Sequence, residues 1–190
     1  MREGEAPAEP SIPGCWYFHF HNANVRTDGK LMSETPSDLP RRKHPARGVL
    51  YIEGQPTIIF DTVCKKDRKP WLANDEVHQL LRDIWTDASA WLVGRYMIMP
   101  DHIHMFAAAT ATEIEFKNWV TFWKSQFTKR HKVADHRWQT DDWDTRMRTG
   151  EQYEEKWEYV RRNPVRHKLT DHPEVWLYQG ILNELRWETW

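Results

Sequence analysis

Residues 91–109 read WLVGRYMIMPDHIHMFAAA, two apolar runs joined by a Pro-Asp pair. This stretch constrains the fold more than any other. Each run has the length of a buried strand, and Pro100-Asp101 is a turn signal, so the chain is expected to double back here. The flanking patterns extend the picture. PTIIFDTVC (56–64) is rich in β-branched residues and reads as another strand. Asn74 is a plausible N-cap for NDEVHQLLRDIWTDAS, where Val77, Leu80, Leu81, Ile84 and Ala88 keep helical spacing. Thr112 and Glu115 form a capping box ahead of IEFKNWVTFWKSQFTKRHK, a second helix. Residues 137–147 read as extended or irregular. Thr149 and Gln152 cap a third helix, YEEKWEYVRRN, which Pro164 stops because the residue before a proline avoids the helical region. The order β, α, β, β, α, irregular, α predicts an α+β fold: an antiparallel sheet with helices packed on it.

Composition narrows the function classes. The chain has 190 residues, with 27 Lys plus Arg against 28 Asp plus Glu, a net charge of −1. Bulk charge alone would not hold it to nucleic acid, although a local basic stripe survives that balance. Twelve tryptophans need packing partners, which argues for a folded chain. Two cysteines, Cys15 and Cys64, make no disulfide framework, and a reduced compartment is the simplest reading. MREGEAPAEP lacks an apolar h-region, and nowhere do eighteen apolar residues run together. The expectation is a cytoplasmic protein with no membrane span. Residues 1–47 hold six of the eleven prolines and read as a partly irregular N-terminal extension. Residues 48–180 read as the folded domain, and 181–190 as a C-terminal tail.

His102-Ile103-His104 places two imidazoles on one face of a strand, with Ile103 turned to the other. Two neutral imidazoles so spaced can bind one divalent metal. Ten histidines in this length produce about half a His-x-His by chance, and there are two, the other being His19-Phe20-His21. The tight turn just before His102 favours the first pair, and His19 and His21 read as surface strand.

On a helical wheel with Trp157 at zero, Tyr153 and Val160 lie within about 60° and form the apolar stripe. Tyr159 lies about 200° away, and shares its face with Asn163 four residues on. A polar-face tyrosine is commonly just a partly exposed residue. The functional alternative is a nucleophile, which at a phenol pKa near ~10 needs help from a metal or a base. The Asn163 carbonyl oxygen is suited to completing the shell of Mg²⁺ or Mn²⁺.

Taken together, MPDHIHMF (99–106) and EYVRRNPVRHKL (158–169) resemble the single-tyrosine HUH transposases associated with repetitive extragenic palindromes, with KDRKPWL (66–72), RWQ (137–139) and VWLYQG (175–180) as further matches. The resemblance covers roughly 48–180. It implies the HUH endonuclease fold, a ferredoxin-like antiparallel sheet with helices packed on it. It also implies His102, His104 and Asn163 as metal ligands for Mg²⁺ or Mn²⁺, and Tyr159 as nucleophile. The implied activity is nicking and joining of single-stranded or hairpin DNA through a 5′-phosphotyrosine link. Two departures are plain. Residues 1–47 match nothing in the family, and Asp141-Asp142-Trp143-Asp144 is more acidic than the matching stretch.

Over 113–168 there are 13 Lys plus Arg against 10 Asp plus Glu. Arg146, Arg148, Arg161, Arg162, Arg166 and Lys168 bracket the tyrosine helix and are candidate DNA-phosphate contacts, against the plainer reading of solvated surface charge. Trp119 and Trp123, four apart, read as core, and Trp138 as a candidate stacking wall. Two other functions fit the residues: a hairpin-DNA-binding protein without cleavage, and a metal-dependent hydrolase with water as nucleophile. The oligomeric state is not legible.

Overall fold

The structure, a computed structural model, describes residues 57–66, 70–110 and 114–185, all within a compact unit, Gly48–Trp190. The expected extension at 1–47, with Cys15, His19 and His21, lies outside the described residues, as does Thr112.

The elements are β1 (Ile58–Cys64), α1 (Asp75–Asp87), β2 (Trp91–Ile98), β3 (His102–Ala109), α2 (Phe116–His131), β4 (Trp143–Arg146), α3 (Gly150–Arg161), a short α4 (Asn163–Arg166), and β5 (Gln179–Ile181). The strands form one antiparallel sheet in the order β4-β1-β3-β2-β5. The first four strands with α1 and α2 make the βαββαβ ferredoxin-like arrangement expected above. β4 turns the extended stretch at 137–147 into an edge strand, and β5 adds an opposite edge that the sequence pattern did not announce. β5 ends at Ile181, so the sheet reaches one residue past 180.

The pleat of β3 sorts its side chains between two cores. Ile103, Met105 and Ala107 join the core under α1 and α2. Phe106 packs on the other face with Ile58, Phe60, Met97, Tyr153 and Val160. β2 would break this sorting if its pleat were unbroken. A register shift between Val93 and Tyr96 inserts one residue, so that Trp91, Val93, Tyr96 and Ile98 all face α1 and α2. Arg95 then points to the α3 face, where its guanidinium lies 5.1 Å from the Tyr153 ring centroid and 5.7 Å from that of Trp157. Its Nη1 also donates to Glu154 at 2.6 Å. Gly94 stands at the shift, where a Cβ would lie 2.5 Å from Leu185.

Among the three long helices, α1, α2 and α3, two starts follow local chemistry. The Val77 N–H donates to Asn74 Oδ1 at 3.0 Å, as an N-cap should. The Gln152 N–H donates to Thr149 Oγ1 at 3.2 Å, and the Gln152 amide oxygen accepts from the Arg148 N–H at 3.1 Å, one residue earlier than a capping box requires. α2 departs from expectation. It begins at Phe116 with Glu115 as N-cap and no side-chain capping bond. The Ile114 carbonyl is taken by the Trp91 indole N–H at 2.9 Å, which holds residue 114 outside the helix.

Trp119 and Trp123 are core residues, 2% and 0% exposed. Trp138 packs edge-on against Trp71, Trp123 and Phe127 in the α1–α2 core. It is therefore no wall of a site on the histidine face. Cys64 is buried at the end of β1 and is not a free thiol, which departs from the expectation of reduced cysteines. Among the described residues no helix is long and apolar enough to cross a membrane.

Candidate metal centre and tyrosine

The parity that sends Ile103 into one core turns His102 and His104 to the opposite face, where they are 8% and 2% exposed. Their Nε2 atoms stand 3.0 Å apart. Each Nδ1 has a partner on its outer side: His102 Nδ1–H donates to Asp101 Oδ1 at 2.8 Å, and His104 Nδ1 meets Thr62 Oγ1 on β1 at 2.9 Å. Thr62 and His104 are paired positions in the β1–β3 register. Phe60 stacks on His104 at 5.5 Å between ring centroids.

The third group arrives from α4. Pro164 cannot donate a backbone bond, so α3 ends at Arg161 and a second short helix starts at Asn163. The break seats Asn163 against the sheet, 4% exposed, with Nδ2 donating to His104 Nε2 at 3.0 Å. Arg166 Nη1 donates to Asn163 Oδ1 at 3.3 Å.

These donors fit a divalent ion. With each Nδ1 hydrogen directed outward, His104 Nε2 accepts from Asn163 and the His102 Nε2 lone pair faces it unprotonated, a pair of nitrogens that a cation between them would take up. Two donors at right angles around an ion with bonds of about 2.1 Å stand about 3.0 Å apart. The His102–His104 and His104–Asn163 separations both match that edge. The Asn163 oxygen would have to face His104 where its nitrogen now does. Outer partners such as Asp101 and Thr62 fix imidazole orientation in metal sites. Among the described residues no group of three or more His, Cys, Asp or Glu is arranged to hold a metal, so a three-ligand set on this face would need the amide.

Electrostatics keep His104 unprotonated. Burial, and then the charges of His102, Lys156, His167 and Arg166, hold its pKa well below the ordinary histidine value. It is neutral at pH 7. Burial pushes Asp101 up, but the hydrogen bond from His102 and the charges of His102, His167 and Lys65 outweigh it and leave the carboxyl below its usual range.

Tyr159 lies on the same side of the sheet and packs on the same core cluster as Phe60 and Val160. The Arg166 guanidinium lies 4.3 Å from its ring centroid, and Lys156 Nζ lies 5.6 Å from it and 5.2 Å from the Phe60 ring. The helical wheel makes this face polar and open. In the fold it is half-covered, because α4 folds back across it.

The other candidate DNA contacts scatter. Arg161 pairs with Glu158 at 2.9 Å and with Glu174. Arg146 ends β4, while Arg148, Arg162 and Lys168 are exposed. Sequence reasoning missed Thr62, Asp101 and Lys156. It also missed His167, whose ring lies 6.5 Å from that of His102. Asp101 adjoins the His-x-His motif and was the one legible candidate.

The elements and this face define an α+β protein with a ferredoxin-like antiparallel sheet. The solved structure of a REP-associated tyrosine transposase bound to a REP hairpin is similar to this chain at 23% identity and a TM-score of 0.59, covering 78% of this chain and 82% of that one. A candidate transposase from Deinococcus radiodurans R1 is 19% identical, with a TM-score of 0.43, covering 60% of this chain and 94% of that one. No protein-family model matches the chain, and no curated protein does.

Proposed function

We propose that this protein is a metal-dependent endonuclease and strand transferase that acts on single-stranded hairpin DNA through a 5′-phosphotyrosine intermediate. One observation carries the reading: His102, His104 and Asn163 converge within hydrogen-bond distance, and Arg166 ties the Tyr159 ring to the same amide. The architecture it shares with a protein solved on a REP hairpin supports a hairpin as substrate.

His102, His104 and Asn163 would hold Mg²⁺ or Mn²⁺, which supplies charge stabilisation at the scissile phosphate. Asp101 and Thr62 keep both imidazoles turned inward. Tyr159 attacks phosphorus through its phenolic oxygen and loses its proton. The bond from phosphorus to the 3′ oxygen breaks, and that oxygen leaves as a 3′-hydroxyl. The phosphodiester energy is conserved in the tyrosine link, so a 3′-hydroxyl attacking in reverse rejoins strands with no other energy source. Arg146, Arg148, Arg162 and Lys168 would contact backbone phosphates.

The test is incubation of a hairpin oligonucleotide with the full chain and Mn²⁺. A covalent protein–DNA adduct that survives denaturation is expected, and Tyr159→Phe should abolish it while retaining DNA binding. Cleavage that persists in Tyr159→Phe would make water the nucleophile. Hairpin binding with no cleavage by the natural chain would make the protein a binding module.

A further inference from the structure

The Asn163 amide is satisfied at both ends in a way that closes the centre. Its Nδ2–H donates to His104 Nε2 at 3.0 Å, which occupies the lone pair an ion would take. Arg166 Nη1 donates to its Oδ1 at 3.3 Å, which holds the oxygen on the far side. The same guanidinium lies 4.3 Å from the centroid of the Tyr159 ring. From these contacts we infer that Arg166 is a latch: it holds Asn163 in an orientation that excludes the metal, and metal entry frees its guanidinium for a DNA phosphate.

The inference rests on the metal-centre reading above. Presenting Oδ1 to the ion turns Nδ2 toward Arg166, and two donors then face each other. One of them must move. Asn163 is 4% exposed and seated against the sheet, whereas Arg166 is exposed. The guanidinium therefore swings off. A guanidinium fork matches two phosphate oxygens, so the group released beside Tyr159 is suited to the scissile strand. Metal loading thus makes a DNA contact available. By linkage, DNA must raise metal affinity by the same factor. Arg166 is on this account a positioning residue that couples two binding events.

Two measurements on the full chain test the latch. The first is Mn²⁺ affinity by calorimetry without DNA. Arg166→Ala should bind Mn²⁺ roughly 3–10-fold tighter than the natural chain, the gain expected from removing one hydrogen bond of ordinary net strength. A residue that merely supported the structure would move affinity the other way. The second is proton NMR of the Arg166 side chain, whose signals are displaced by the Tyr159 ring when the two stack. Saturating Mg²⁺ should return them toward free-arginine positions, and the His104→Ala chain should keep them displaced.

Tighter binding with signals still displaced at saturation would reduce Arg166 to a repelling charge and overturn the latch. Unchanged affinity in Arg166→Ala would also overturn it. If the His102 and His104 ring signals of the natural chain ignore both metals, the metal-centre reading itself fails. That outcome is separate from the other two.

Discussion

Asn163 and His104 meet at 3.0 Å although 59 residues separate them in sequence, one at the start of a short helix and the other on the central strand. Everything chemical about this face follows from that meeting. The strand supplies imidazoles in fixed register, the helix break supplies the amide, and α4 brings Arg166 across Tyr159. Four measurements test this face and the sheet that carries it.

The imidazole supports should matter to metal affinity more than to stability. Thr62→Val removes the group 2.9 Å from His104 Nδ1. Mn²⁺ affinity measured by calorimetry should fall about tenfold, the low end for loss of an outer partner in a metal site. Asp101→Asn keeps the hydrogen bond to His102 but loses the charge, and should cost less. Unchanged affinity in Thr62→Val would show that His104 is not a ligand.

The second prediction concerns Asp61, which lies on the α1–α2 face of β1. It is 0% exposed, and among the described residues neither side-chain oxygen has a hydrogen-bond partner. Burial, and then the charge of Asp142, raise its pKa well above the ordinary value of 3.8, with Lys124 opposing. The folded state therefore binds the proton more tightly than the unfolded one. Stability is present in full below the ordinary aspartate range and is lost as pH rises through the folded pKa. Asp61→Asn should remove that loss. Urea denaturation at pH 8 should show a gain in stability, because the amide takes no charge into the buried site, and a smaller gain at pH 5. An equal effect at both values would refute the assignment.

Gly180 fixes how β5 closes the sheet. A Cβ there would stand 2.8 Å from the Tyr96 hydroxyl and 3.1 Å from its Cζ. Tyr96 is fully buried and its hydroxyl is bonded to His78 Nε2 at 2.8 Å, so the ring has nowhere to go. Gly180→Ala should destabilise the chain by about 1–3 kcal/mol, the usual cost of overpacking. Thermal unfolding indistinguishable from the natural chain would show that β5 is not held this tightly.

Arg95 anchors α3 through two ring faces and Glu154. Each cation–π contact contributes about 0.5–1 kcal/mol at a partly exposed site, and an exposed ion pair adds less. Arg95→Ala should therefore cost about 1–2 kcal/mol by chemical denaturation. Because α3 carries Tyr159, adduct formation should slow by more than that stability loss implies, since small misplacements of a reacting group are costly. Adduct formation at the natural rate would mean that α4 alone positions the tyrosine.

Much of this was legible in the residues because it is local. The Pro-Asp turn between two apolar runs dictates the hairpin. Strict alternation on β3 then sends His102 and His104 to one face and Ile103 to the other, whatever the rest of the chain does. Asn74 caps its own helix, and Pro164 breaks its own. The apolar spacing of Trp119 and Trp123 assigns them to the core.

What no local pattern contains is the set of contacts between distant segments. The shift between Val93 and Tyr96 reverses which residues of β2 face α3, and only pairing with β3 reveals it. β4 and β5 are strands because β1 and β2 offer them open edges, at four and three residues too short to announce themselves. Trp138 packs into the core because Trp71 and Phe127 wait there. Tyr159 is half-covered because Arg166, seven residues further on at the end of α4, folds back over it. Hydrophobic period and turn chemistry act over a few residues and are written in order along the chain. Burial, charge pairing and donor convergence depend on which segments meet, and that is decided only when the whole sheet closes.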